Sequence, residues 1–385
     1  MAVSQGERLP TVWDDRYHCP EASPILATRK HKVVVDRATA AGLLDIRHDS
    51  DYDEERAWAE IARIHAPEYV NALRTGEPRT LAESQGFTWG PRFAAAVPRV
   101  WSGARAAARI ALTEGLAFHP VSGGHHAERD HGAGFCTVNG VAGIGSLLLA
   151  EGLVQRVAVI DLDTHQGNGT WALAGYDPRF GFFDVARASW VVPECETDRA
   201  LFRLVQTAEQ YFGVLDTLPR FVERFRPELL FYLAGMDCHE ADDMGGVPGM
   251  NWARLAERDS FVFKTARSLG IPLLFSLAGG YQADGTTVDL HLNTIRAALD
   301  REPLPVVPPE RPDRTYKCVL RDRDEVPIRT LEWTGVPPET LLVTLPLEGG
   351  AVVAPPTDAQ PGPNQAAFRR MLYRPRILVT YYNTE

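Results

Sequence analysis

From its start to about residue 300 the chain alternates short, mostly apolar runs with longer stretches in which apolar residues recur every three or four positions. The short runs predict strands at Thr11–Tyr17, Leu116–Ser122, Val157–Asp163, Gly181–Val185, Leu229–Gly235 and Pro272–Ala278. Several are apolar almost throughout, as strands covered on both faces of a parallel sheet must be. The longer stretches predict helices at Arg92–Thr113, Thr137–Glu151, Thr197–Phe225, Trp252–Leu269 and Asp289–Leu299. This alternation implies an α/β fold: a three-layer α/β/α domain around a mainly parallel sheet. Ligands are then expected at the carboxyl ends of the strands.

The pattern breaks near residue 300. Pro303–Pro312 (PLPVVPPERP) is too rich in proline for helix or central strand and reads as an extended linker. Beyond it, Val326–Trp333, Thr340–Pro346 and Arg376–Tyr382 are short β-prone runs between turn-rich stretches. The expected organisation is a main domain over residues 1–302, a linker over 303–312 and a small β-rich extension over 313–385.

Composition narrows the classes. Of 385 residues, 45% are hydrophobic and 23% charged, the profile of an ordinary globular protein. With 40 Lys+Arg against 50 Asp+Glu, the net charge is −10, which argues against a broad nucleic-acid-binding surface or a polybasic membrane patch. No apolar run approaches the roughly 18 residues that span a bilayer, and MAVSQGERLP lacks a signal pattern. The five cysteines are odd in number and scattered, with no CxxC pair, so a reduced, cytoplasmic protein is expected.

Four segments carry polar residues where candidate strands end. They are Val121-Ser-Gly-Gly-His125-His126, followed by Gly132-Ala-Gly134-Phe135-Cys136; Asp161-Leu-Asp163-Thr-His165-Gln-Gly-Asn168; Leu233-Ala-Gly-Met-Asp237; and Leu277-Ala-Gly-Gly-Tyr281. Asp161, Asp163 and His165 alternate, so they project to one side of an extended chain. Carboxylates beside an apolar strand are costly unless paired or bound to metal. Asp163, His165 and Asp237 together make an N/O ligand set with a coordination position to spare, the layout of a catalytic zinc; iron(II) accepts similar ligands. Each segment alone has a plain alternative, since core histidines are commonly just hydrogen-bonded and strand-end aspartates commonly cap turns. All four in this order form a specific combination.

These residues resemble the histone deacetylase superfamily, which has the arginase–deacetylase fold, over roughly Leu9 to Leu299. Further matching phrases are His65-Ala-Pro-Glu-Tyr69 and Gly134-Phe-Cys-Thr-Val-Asn139. Gln166 and Asn168 stand where class I and II enzymes carry His and Asp. That variant, with Phe182-Phe-Asp184-Val185, is similar to the class-IV-like branch.

The resemblance implies that residues 1–302 form a zinc-dependent amidohydrolase domain. Its substrate would be an acyl-lysine protein or peptide, with an acetylpolyamine or another small acylated amine as the alternative; a non-catalytic acyl-lysine binder is the remaining reading. Asp163, His165 and Asp237 would hold the metal. His126 would be the general base and acid, His125 its partner held by Asp161, and Tyr281 the donor to the substrate carbonyl. A potassium ion would sit near Asp161 and Asp184, and Gly134 and Phe135 would line the substrate tunnel. Asn168, a neutral partner, would let His126 titrate lower than an aspartate would. The acidic residue that grips the substrate backbone in class I enzymes has no match in Glu83–Pro91. The aromatic expected to face Phe135 is not evident either, Trp190 being the candidate; a wider tunnel would admit acyl chains longer than acetyl. An arginase-like dimetal site is disfavoured, because Gln166 follows His165 and no second acidic pair accompanies Asp237.

Overall fold

In the computed structural model, residues 8–22, 29–189, 193–242, 244–282 and 285–305 are described, together with the backbone of six strands between 315 and 383. The chain divides into two compact units, residues 1–281 with 287–305, and residues 282–286 with 306–385.

Among its described residues the first unit has nine strands: β1 (Leu9–Val12), β2 (Leu44–Arg47), β3 (Leu116–Phe118), β4 (Val157–Asp161), β5 (Phe180–Ala186), β6 (Cys195–Glu196), β7 (Ala200–Leu204), β8 (Leu229–Leu233) and β9 (Leu273–Ser276). They form one sheet in the order β2-β1-β3-β9-β8-β4-β5-β7-β6. Every pairing is parallel except β6 with β7. The helices are α1 (Lys30–Ala40), α2 (Glu54–Ile61), α3 (Pro67–Thr75), α4 (Arg79–Ala82), α5 (Pro91–Glu114), α6 (Gly140–Ala150), α7 (Asn168–Ala174), α8 (Ala208–Leu215), α9 (Leu218–Phe225), α10 (Trp252–Leu269) and α11 (Thr286–Ala298).

Alternation along each strand splits the interior into two cores. In β4, Ala158 and Ile160 join Phe183, Tyr232, Phe275 and the inner faces of α1, α8, α9 and α10. Val157 and Val159 join Phe182, Phe231, Leu274 and the inner faces of α2, α3, α5 and α6. Each fully buried Leu, Ile or Phe contributes about 1.5–3 kcal/mol. Both faces covered is the three-layer α/β/α architecture that the apolar runs imply.

Apart from β5, which extends its expected run by one residue at each end, the strands are shorter than their apolar runs. The run at Thr11–Tyr17 yields β1 and then a single 3₁₀ turn at Asp15–Tyr17, where the Asp14 side chain accepts from the Arg16 backbone N. β4 stops at Asp161, so Asp163 and His165 leave the strand and lie on the loop beyond it. The single helix expected over Thr197–Phe225 is instead β7, α8 and α9. Ala200–Leu204 pairs with β5 and buries its apolar side, Thr207 caps α8, and Pro219 starts α9. Trp252–Leu269 is a helix with the bounds expected, its N-terminus capped by Asn251.

In the second unit the described strands are β10 (Thr315–Arg321), β11 (Pro327–Thr334), β12 (Leu342–Thr344), β13 (Ala351–Val353), β14 (Phe368–Met371) and β15 (Leu378–Asn383). Four form an antiparallel sheet in the order β11-β10-β15-β14, and β12 pairs with β13. From residue 306 on, the expected proline-rich linker lies outside the described residues. Among the described residues, no helix is long and apolar enough to cross a membrane.

Candidate active site

The central strands β4 and β8 lie side by side, with Asp161 opposite Leu233. Their carboxyl-end loops therefore bring Asp163 and His165 next to Asp237. One ligand-type atom from each lies within 4.8 Å of the others. His165 Nδ1 is 3.0 Å from Asp237 Oδ2 and 3.3 Å from Asp163 Oδ1. Backbone donors hold both carboxylates: Gly279 N donates to Asp163 Oδ2 at 2.7 Å, and Thr164 N donates to Asp237 Oδ1 at 3.0 Å. A Cβ at Gly279 would come within 2.2 Å of Asp237 Oδ2, so only glycine lets this backbone approach.

The electrostatics of the cluster call for positive charge. Burial, reinforced by the Asp163 charge, pushes the Asp237 carboxyl up to about 8. Against the burial that would raise it, His125 and His165 hold Asp163 well below the usual carboxylate range. Burial disfavours a charged His165, yet its two carboxylate partners raise it to about 11. A divalent cation satisfies two buried carboxylates better than a single shared proton does, so this donor set fits zinc or iron(II). His165 Nε2 lies 3.1 Å from the Met244 carbonyl, a partner that holds the hydrogen on Nε2 and turns Nδ1 toward the carboxylates.

His125 and His126 lie beside this cluster with ring centroids 4.0 Å apart and planes tilted by 43°, and the His126 and His165 rings are 6.0 Å apart. His125 Nδ1 lies 2.9 Å from Asp161 Oδ2, and His126 Nδ1 lies 2.6 Å from Asn168 Oδ1. Burial, then the neighbouring His125, lowers His126 to about 3. Gly134 sits against this ring, where an added Cβ would come within 2.5 Å of His126 Cδ2. Gly134 and Phe135 both have positive φ, 50° and 62°, a turn that presents the phenyl ring beside the site.

A cavity of about 180 Å³ opens here, lined by His125, Phe135, Cys136, Gly279 and Tyr281 among others. The Tyr281 ring is 6.1 Å from that of Phe135, and Tyr281 N donates to Asp242 Oδ2 at 2.7 Å. Burial raises the Tyr281 hydroxyl well above its usual value, so it stays a donor. Behind them Asp161 and Asp184 are both buried and both raised by that burial. Trp171 Nε1 donates to Asp184 Oδ2 at 2.9 Å, whereas Oδ1 is buried without a hydrogen-bond partner among the described residues.

The structure brings His125, His126, Asn168, Asp161, Asp184, Gly134, Phe135 and Tyr281 around Asp163, His165 and Asp237. Sequence reasoning missed four neighbours. Lys30, buried on α1, donates to the Ala278 and Gly280 carbonyls at 2.7 and 3.1 Å, and burial lowers it to about 8. Asp242 and Glu128 support Tyr281 and Asn168 respectively. The fourth is Phe87, whose ring lies 5.8 Å from that of Phe135; Trp190, the candidate for the facing aromatic, lies outside the described residues. None stood out, because a lone Lys, Asp, Glu or Phe in a loop or helix has no motif of its own.

Comparisons with known proteins identify the family. Residues 25–193 and 202–294 match the family model described as the histone deacetylase domain. An uncharacterised protein of Picosynechococcus sp. is 31% identical over 233 residues, 59% of this chain and 76% of its own length. Histone deacetylase 2 of Arabidopsis thaliana is 27% identical over 61% of this chain and 64% of its own length. Acetylpolyamine amidohydrolase 1 of Pseudomonas aeruginosa is 25% identical over 63% of this chain and 78% of its own. The crystal structure of an acetylpolyamine aminohydrolase from Burkholderia pseudomallei shares the fold, with a TM-score of 0.60 and 18% identity over 75% of this chain and 98% of that one.

Proposed function

Because this chain belongs to the histone deacetylase family, we propose that it is a metal-dependent amidohydrolase that removes acyl groups, acetyl or longer, from the ε-amine of lysine in proteins or peptides. The observation that carries the reading is the convergence of Asp163, His165 and Asp237 beside the His125–His126 pair, at a cavity edged by Phe135 and Tyr281.

Asp163, His165 and Asp237 would hold zinc, with iron(II) as the substitute. A bound divalent ion supplies Lewis acidity, lowering the pKa of water toward about 7 and polarising a carbonyl. The chain's own groups do the rest. His126 takes a proton from the attacking water and returns it to the departing amine, so water and amide become carboxylic acid and free amine. His125, oriented by Asp161, supports the charge that develops nearby. The Tyr281 hydroxyl donates to the carbonyl oxygen as it gains charge, where one donor is worth about 3 kcal/mol. Phe135 and Phe87 offer apolar faces to the methylene stem of the lysine. The orphaned Asp184 Oδ1 and the buried Asp161 suit a monovalent cation such as potassium.

A small acylated amine is the second reading, favoured by the similarity to acetylpolyamine amidohydrolase 1. It is also favoured by Glu83, which sits in the loop expected to grip a peptide but accepts from Trp89 N at 2.8 Å. One experiment separates the readings: the zinc-loaded protein is assayed on acetyl- to octanoyl-lysine peptides and on acetylated polyamines, with and without a chelator. Chelator-sensitive cleavage of the peptides is expected. Cleavage of the polyamines alone would transfer the assignment to the second reading, and cleavage of neither would refute both.

A further inference from the structure

We propose that Glu128 is a positioning residue for this chemistry: through the Asn168 amide it fixes the tautomer in which His126 carries its hydrogen on Nδ1. The inference rests on the amidohydrolase reading for its consequence, but the hydrogen-bond chain itself does not depend on it.

Asn168 Nδ2 donates to Glu128 Oε1 at 2.8 Å. A carboxylate only accepts, so the amide must turn its NH₂ to Glu128 and its oxygen to the histidine. A flipped amide would set two oxygens against each other. Asn168 Oδ1, 2.6 Å from His126 Nδ1, can then only accept, and His126 Nδ1 must donate. The lone pair is left on Nε2, the nitrogen a general base needs. Asparagine alone does not do this, because an unheld amide can present either its oxygen or its NH₂ to the ring. The combination of a neutral partner and a remote anion therefore performs the orienting work of a single aspartate.

Glu128 is itself anchored. Its N donates to the His131 carbonyl at 3.0 Å, and its carbonyl lies 2.7 Å from His65 Nδ1. Asn139 N donates to His65 Nε2 at 3.1 Å, so His65 carries its own hydrogen on Nδ1 and donates it to Glu128. Asn139 also donates from Nδ2 to the Ala127 carbonyl at 3.2 Å and caps α6. The loop bearing Glu128 is thereby pinned to the helix layer.

An aspartate at 168 would face Glu128 at the same short separation, and two carboxylates there repel. This predicts a reversal of sign that ordinary structural support would not produce. Four forms are compared: wild type, Glu128→Gln, Asn168→Asp and the double variant. For each, kcat and KM on an acyl-lysine peptide and bound metal are measured. Glu128→Gln should lower kcat about 5-fold with KM and metal unchanged, the loss of one charge-assisted bond. Asn168→Asp alone should lower it about 10-fold. Adding Glu128→Gln to Asn168→Asp should raise kcat again. A Glu128→Gln effect of the same sign in both backgrounds would overturn the proposal. An arm independent of turnover reads the His126 ring nitrogens by ¹⁵N NMR, assigned against His126→Ala. One tautomer, hydrogen on Nδ1, is expected in wild type and a mixture in Glu128→Gln; the same tautomer in both would also overturn it. Absence of turnover in wild type would refute the amidohydrolase reading while leaving this arm decisive.

Discussion

Replacing Arg258 with methionine removes a cation that is completely buried on α10. Its Nε donates to Asp259 Oδ1 at 2.8 Å, and its Nη1 donates to the carbonyls of Gly235 at 2.6 Å and Leu162 at 3.2 Å. Leu162 precedes Asp163 and Gly235 lies two residues before Asp237, so one guanidinium ties together both loops that bear the candidate ligands. Methionine restores most of the volume but takes the donor from the Gly235 carbonyl and the partner from the Asp259 charge, whereas the Leu162 carbonyl keeps the Tyr211 hydroxyl and the Cys238 thiol as donors at 3.1 Å. Removing one partner of a buried ion pair costs about 3–5 kcal/mol. Asp259 keeps two donors, the Tyr232 hydroxyl at 2.5 Å and the Thr294 hydroxyl at 2.6 Å, which hold the loss to about 3–4 kcal/mol. Urea unfolding followed by tryptophan fluorescence reads this as a lower midpoint. Metal titration of the folded variant should show affinity reduced about 10–100-fold, the usual effect of loosening a ligand's support. A loss below about 1 kcal/mol with unchanged metal affinity would refute the reasoning.

Four further outcomes are expected. His126→Ala should lower kcat at least about 100-fold with the metal retained, and Tyr281→Phe should lower kcat more than KM; near-wild-type turnover in either would discard the assigned roles. Elemental analysis should find one tightly bound divalent transition metal per chain, and a stoichiometry of two after reconstitution would contradict a site built on the one such cluster among the described residues. Burial lowers His65 from its ordinary 6.5 to about 4, so the unfolded chain binds the extra proton. That contribution is complete above pH 6.5 and is lost as pH falls through 6.5 toward 4, by up to about 3 kcal/mol. Urea midpoints at pH 7 and pH 5 should therefore differ more in wild type than in His65→Gln, and equal differences would remove His65 as the cause. Melting temperature and activity should be higher in potassium than in bulky organic-cation buffers, whereas identical values would deprive Asp161 and Asp184 of their proposed ion.

The legible part of the molecule is that in which one segment carries its own signal. Val157–Asp161 is apolar on both faces and could only be an interior strand, so the polar residues after it had to mark a strand end. Trp252–Leu269 combines an Asn cap, helical spacing and a closing glycine, and its bounds follow from those alone. Ala200–Leu204 misled because five residues of mixed character fit either period, and only pairing with β5 decides for strand. The first hundred residues went largely unread, since α1 to α4 are short and draw their stability from the core they cover. At the site, the runs bearing Asp163, His165, Asp237, His125 and His126 stood out because each sets ligand-type side chains close to glycine where a candidate strand ends. Lys30 was not, since a lysine among polar helix residues reads as solvent-facing. Its role comes from two carbonyls some 250 positions away.

The adjacency of β4 and β8 has a consequence for durability. Both strands are fully buried, and each is hydrogen-bonded along both edges, β4 to β5 and β8, and β8 to β4 and β9. Backbone amides in such positions exchange with solvent only when the whole unit opens. The loops carrying Asp163, His165 and Asp237 grow directly from these strands, so they cannot drift apart through local fraying. Escape of a bound ion by separation of its ligands should thus be as rare as global unfolding, and its slowest release rate should track deuterium uptake in the centre of the sheet.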